Sequence, residues 1–215
     1  MKFKLINRDV FHEYDLLLVS AGGSGCTTIH KLLDGKVRKN HTDDIDYLKH
    51  LSSPEQNIYL MNRFKSVIYI YNDPLLSIIS HYRRGWAQMQ HKKIANASDL
   101  VLDKINTIEK LQENTLKLKK EIFGIQQHFL NWVNLSDKRS NVAIVDFRDV
   151  NDTIIVIESL FEKKINYNIV ERSPKTKNIL NGLDKKMVEF YSELDKSNVD
   201  KIDKLKLTRN LTRVS

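Results

Sequence analysis

The sequence predicts an α/β protein: an open parallel sheet flanked by helices. Three short runs, "YDLLLVSA" (14–21), "KSVIYIYN" (65–72) and "NVAIVDF" (141–147), are apolar on successive residues or rich in β-branched and aromatic types, as fully buried strands are. Each is followed by a helical pattern, and strand–helix alternation of this kind favours parallel pairing. With 41% hydrophobic and 29% charged residues in a chain of 215, there is apolar material for a real core.

The first strand runs directly into the Gly-rich turn "AGGSGCTT", and "TTIHKLLDG" reads as the next helix, with Gly35 as its stop. Pro74 follows the second strand and suits a first helical turn, where its missing N–H is not needed. That helix is expected to run through "LLSIISHYRRGWAQMQ". Residues 99–133 read as two helices broken near Gly124. After the third strand, "DVNDTIIVIESLFEKK" begins with cap-type residues and continues as a helix. A charged helix is expected from Leu183 to about Leu207.

Glycine and proline number 7 and 3, which argues against long linkers; one domain over 1–215 is expected, with a basic tail at 197–215. The single cysteine excludes an intrachain disulfide and suits a reducing, cytoplasmic setting. No apolar run resembles a signal peptide or spans a membrane, so neither secretion nor a membrane partner is expected. The formal charge of +8 and pI near 9.4 favour anionic ligands. No interleaved basic–aromatic pattern supports nucleic acid, and no cluster has metal-ligand spacing; "HTDD" (41–44) reads as a commonplace polar loop.

Consecutive small residues let a backbone approach an oxyanion closely, with amides and hydroxyls as donors. Gly22, Gly23, Ser24, Gly25, Cys26, Thr27 and Thr28 are therefore candidate phosphate-binding residues. Against the nucleotide-hydrolase pattern G-x-x-x-x-G-K-[ST], Ser20 would replace the first glycine and Cys26 the lysine. Losing that cation weighs against ATP or GTP hydrolysis.

A different pattern fits better. Residues 22–27 resemble the 5′-phosphosulfate loop of sulfotransferases, P-K-S-G-T-T. "VIYIYNDPLLSIISHY" is similar to that family's 3′-phosphate motif, with Asp73-Pro74 in place and Ser80 six residues after the proline. "FLNWVN…NVAIVDFRDV" and "ERSPKTKNILNGLDKKMVEFYSELD" resemble later family segments. The resemblance implies a three-layer fold of the P-loop type. It implies 3′-phosphoadenosine 5′-phosphosulfate (PAPS) as donor, no metal, and a small-molecule or glycan acceptor of a sulfuryl group. It also implies a base: the family's histidine in K-[TS]-H-L corresponds to His50 in "YLKHLSSP". His30 and His81 also lie beside the motifs, but each fits a helix face.

Two departures matter. The loop lysine is Gly23 and the motif arginine is Asn72. Lys31, Lys49, Arg83 and Arg84 are the nearest cations that could substitute, and Arg172 falls where family members often supply another phosphate ligand. In "HYRRGW", Arg83 and Arg84 could grip a phosphate beside a stacking tryptophan. Cys26 opens a helix, which can lower a thiol's pKa, but no base is paired with it. Trp132 and Phe129 are expected in the core. Two alternatives stay open: a non-catalytic nucleotide- or anion-binding relative, and a P-loop kinase using Asp73 or Asp146 for magnesium.

Overall fold

In the computed structural model, residues 14–95, 102–161, 164–165 and 179–212 are described. Along them run β1 (Leu16–Val19), α1 (Cys26–Leu32), α2 (Ile58–Met61), β2 (Ser66–Tyr71), α3 (Pro74–Arg83) and α4 (Ala87–Ala95). Then follow α5 (Ile108–Leu118), α6 (Ile125–Lys138), β3 (Val142–Asp146), α7 (Val150–Phe161) and α8 (Lys185–Thr212). The three strands lie parallel in the order β1–β2–β3, with Val19 beside Tyr69 and Tyr69 beside Ile144.

Every side chain of central β2 is buried, as its uninterrupted apolar run demands. Alternate residues feed opposite faces. Leu17, Val19, Val67 and Tyr69 pack with Phe129 and Trp132 of α6 and Ile202 of α8. Leu16, Leu18, Ile68 and Ile70 pack with Ile29 of α1 and Ile154 and Ile157 of α7. Helices thus cover both faces, giving three layers. Each such aliphatic side chain, fully buried, contributes roughly 1.5–3 kcal/mol. Trp132 and Phe129 are in the core as expected, at 0% and 1% exposure. Trp132 stacks on Tyr69 and donates its Nε1–H to the Leu51 carbonyl at 3.0 Å.

The structure breaks one expected helix in two. The run after Pro74 does not continue to Gln90 but stops at Arg83 and restarts at Ala87. Gly85, at φ 71°, takes the left-handed position. The Trp86 N–H returns to the His81 carbonyl at 2.9 Å and the Gly85 N–H to that of Tyr82 at 3.0 Å. That is a Schellman ending, which satisfies the last carbonyls and turns the chain. The start of α3 follows the sequence: Pro74 sits in the first turn and the Asp73 carboxylate accepts the Leu76 N–H at 2.9 Å. The break near Gly124 is also found. There the Glu121 carboxylate gathers the N–H groups of Phe123, Gly124 and Gln126, with burial raising its pKa.

The outer edge of β1 is covered. The Leu16 N–H bonds the Arg38 carbonyl at 3.1 Å, and the Asn40 side chain pairs with both the N–H and the C=O of Leu18, at 2.8 and 3.0 Å. One residue beyond the strand, the Ser20 N–H donates to the Lys49 carbonyl at 2.9 Å. This cover segment brings residues 40–50 to the carboxyl end of β1, where ligands of open α/β sheets bind.

Candidate active site

The Gly-rich turn lies against α3. Gly23 sits at φ 66°, a conformation that L side chains rarely adopt, and a Cβ there would fall 2.5 Å from the Ser77 carbonyl oxygen. At Gly22 a Cβ would meet the His81 ring at 2.6 Å, and at Gly25 the Phe147 ring at 2.4 Å. The two turns singled out in the sequence therefore adjoin. Among the described residues, the backbone N–H groups of Gly23, Ser24, Gly25, Cys26 and Thr27 donate to no other group of the chain. The Ser24 hydroxyl is buried without a partner, as is that of Ser77. Bare amides and an orphaned hydroxyl together suit an oxyanion.

A cation reaches this turn from elsewhere in the chain. Lys49 is 7% exposed, and its ammonium bonds the Thr27 hydroxyl at 2.8 Å and the Thr42 carbonyl at 2.6 Å. Both partners are neutral, and among the described residues no carboxylate forms an ion pair with it. An ammonium buried without a counter-ion is costly unless an anion joins it.

His50 is the next residue. Its Nδ1 lies 2.8 Å from the Ser20 carbonyl. A carbonyl only accepts, so Nδ1 carries the proton and Nε2 keeps its lone pair. Burial lowers the pKa of His50 to about 3; the Ser20 bond works against this, while Lys49, Lys93 and Arg84 add to it. The ring is therefore neutral at pH 7. Ser20 thus holds Lys49 by its N–H and His50 by its C=O.

The second turn is built differently from its sequence pattern. Asn72 is buried, and its side-chain oxygen accepts the Asp73 N–H at 2.8 Å. The Ser80 hydroxyl accepts from Arg84, whose guanidinium also lies 5.2 Å from the Trp86 ring centre. Arg83 and Arg84 are both exposed at this helix end, and the charge of Arg84 adds slightly to the lowering of the His50 and His81 pKa values. Thr28 is half-buried in the first turn of α1. Arg172 lies outside the described residues.

His81 and His30 are packing residues here: both are buried, with unpartnered ring nitrogens, and burial lowers each pKa to about 3. His81 stacks on Phe123 at 6.0 Å. Cys26 opens α1, but burial outweighs what a helix N-terminus can do to lower a thiol's pKa. It is 3% exposed, and burial pushes the thiol up to about 11 in spite of Lys49 nearby. The two carboxylates offered for magnesium are both engaged. Asp73 caps α3, and Asp146 is gripped by Arg148, which also bonds Asp195 of α8 at 2.7 Å.

Two parts of the site escaped sequence reasoning. Gln90 of α4 donates to the Ala21 carbonyl at 2.8 Å, pinning that helix over the turn. Asp44, in a loop read as commonplace, holds the Lys49 main chain at 2.9 Å. Gln90 has no local signal because its partner is 69 residues away. Asp44 acts on Lys49 only five residues on, but its second partner, Lys93, is 49 residues away.

No family model matches the chain, and no curated protein matches it. Among solved structures it is similar to mouse sulfotransferase SULT7A1 complexed with PAP, at 15% identity and a TM-score of 0.45, over 75% of this chain and 69% of that one. At that level the likeness carries no argument about ligand or activity. The α/β architecture of three parallel strands between helices stands on the chain's own geometry.

Proposed function

We propose that the chain transfers a sulfuryl group from PAPS, as donor substrate, to a hydroxyl or amine of a small-molecule or glycan acceptor. The observation that carries this reading is the Lys49 ammonium, buried beside bare amides and bonded only to neutral oxygens. It supplies the cation missing at Gly23. The 22–28 turn would hold the 5′ phosphosulfate through its amides and the hydroxyls of Ser24, Thr27 and Thr28. Asn72, Ser80, Arg83 and Arg84 would serve the 3′ phosphate, with Arg172 as a further candidate.

In the step proposed, His50 Nε2 takes the acceptor's proton as the acceptor oxygen or nitrogen bonds to sulfur. The bond from sulfur to the bridging oxygen breaks, and the bisphosphate leaves with the electron pair. Lys49 and the amides stabilise the charge that develops on the transferring oxygens and the leaving group. The donor's negative charge offsets the cations around His50 and so raises its basicity when bound. The engagement of Asp73 and Asp146 disfavours the kinase alternative, which needs a carboxylate for magnesium.

Thermal-shift titration tests the reading. Adenosine 3′,5′-bisphosphate should stabilise the chain and ATP-Mg should not; the opposite order would remove it. Transfer of radiolabelled sulfate to an acceptor panel then separates enzyme from binding protein: bisphosphate binding without turnover on any acceptor supports the binding-only relative.

A further inference from the structure

We infer that Asp44 is a positioning residue of this site, acting through Lys49 without touching the ligand itself. The inference rests on Lys49 as the cation of the proposed donor site. Asp44 is a buried carboxylate, its side chain 6% exposed, with two different partners. One oxygen accepts the Lys49 N–H at 2.9 Å; the other pairs with the Lys93 ammonium of α4. It therefore fixes the backbone of Lys49 while its charge is matched by a second lysine. Lys49 keeps its own positive charge for an incoming anion.

The loop around Asp44 is built to hold that geometry. Among the described residues, three non-glycine residues have positive φ, and two of them, Asp44 at 59° and Tyr47 at 58°, lie here. Such conformations persist only where surrounding bonds over-determine them. Asp46 accepts the N–H groups of His41 and Leu48 at 2.7 and 3.3 Å, and the Lys49 ammonium closes back on the Thr42 carbonyl at 2.6 Å. Lys93 ties the loop to α4, the helix that Gln90 pins to Ala21.

Asp44→Gly is the informative variant, because glycine adopts the left-handed backbone freely and only the carboxylate is lost. Asp44→Asn keeps an acceptor for the Lys49 N–H. Competitive acylation of lysine amines in the ligand-free full chain, read by mass spectrometry, should show Lys49 labelling at least about threefold faster in Asp44→Gly and close to wild type in Asp44→Asn, as local opening exposes the amine. Affinity for adenosine 3′,5′-bisphosphate should fall about tenfold in Asp44→Gly and recover in Asp44→Asn. Should Asp44→Gly fail to fold, Asp44→Ser replaces it. Unchanged Lys49 labelling in the folded carboxylate-free variant, or Asn behaving like Gly, overturns the inference. If the wild-type chain does not bind the bisphosphate, the proposed donor site falls, and the labelling alone still decides whether Asp44 positions Lys49.

Discussion

Lys49 sets function against stability at a single side chain. A buried ammonium facing only neutral oxygens gains little for the fold, and removing such a charge is often neutral or stabilising. Lys49→Met should therefore unfold at or above the wild-type temperature in a calorimeter. Its affinity for adenosine 3′,5′-bisphosphate should nonetheless fall by about 10- to 100-fold, the loss of one charge-assisted bond of about 1.5–3 kcal/mol. A parallel drop in melting temperature would show a structural role instead. At His50 the Asn variant is the discriminating one, because its amide can replace Nδ1–H as donor to the Ser20 carbonyl. His50→Asn should keep bisphosphate affinity in titration calorimetry while sulfate transfer falls by about 10²–10⁴. The resemblance of the sequence to K-[TS]-H-L is what points to His50. The sequence offers Lys49 only as one of four replacement cations, since what distinguishes Lys49 is Thr27, 22 residues away, brought close by the cover segment along β1.

The turn between β1 and α1 shows how an element enforces its own residue choice. Gly23→Ala combines a left-handed backbone with a Cβ placed 2.5 Å from the Ser77 carbonyl, an atom of the α3 main chain that cannot swing aside. Gly35→Ala has a similar φ of 71° and nothing within 4 Å. Equilibrium urea unfolding should give a loss of about 1–2 kcal/mol for Gly35→Ala from the backbone alone, and clearly more for Gly23→Ala. Equal losses would mean that the turn can move away from α3. At this scale the sequence was mostly legible, because strands and caps are local: Asp73-Pro74 starts α3 as read. The ending at Gly85 was not. An isolated glycine within a helical pattern is tolerated, and only the return of the Trp86 N–H to His81 shows that the chain turns.

Among the described residues of the whole molecule, four imidazoles, His30, His81, His91 and His128, are buried, and burial lowers the pKa of each, to about 3 for His30, His81 and His128. Unfolding returns them to about 6.5, so below that pH the unfolded chain binds more protons. Stability is then complete above about pH 6.5 and declines as pH falls toward about 3, by roughly 1.4 kcal/mol per pH unit for each histidine at most. Urea midpoints should accordingly drop between about pH 7.5 and about pH 5, whereas a flat profile would mean that the rings are hydrated in the native state. The three-layer plan was readable from the alternation of strands and helices. The inward crowding of histidines was not, because periodicity marks which face of a helix turns inward and says nothing of what imidazole meets there. One further property follows from the small carboxamide of Asn40 on Leu18 and the Arg38 carbonyl on Leu16. With those main-chain donors and acceptors already occupied, a foreign strand has no template to join on that flank, and the chain is guarded there against fibril-like self-association.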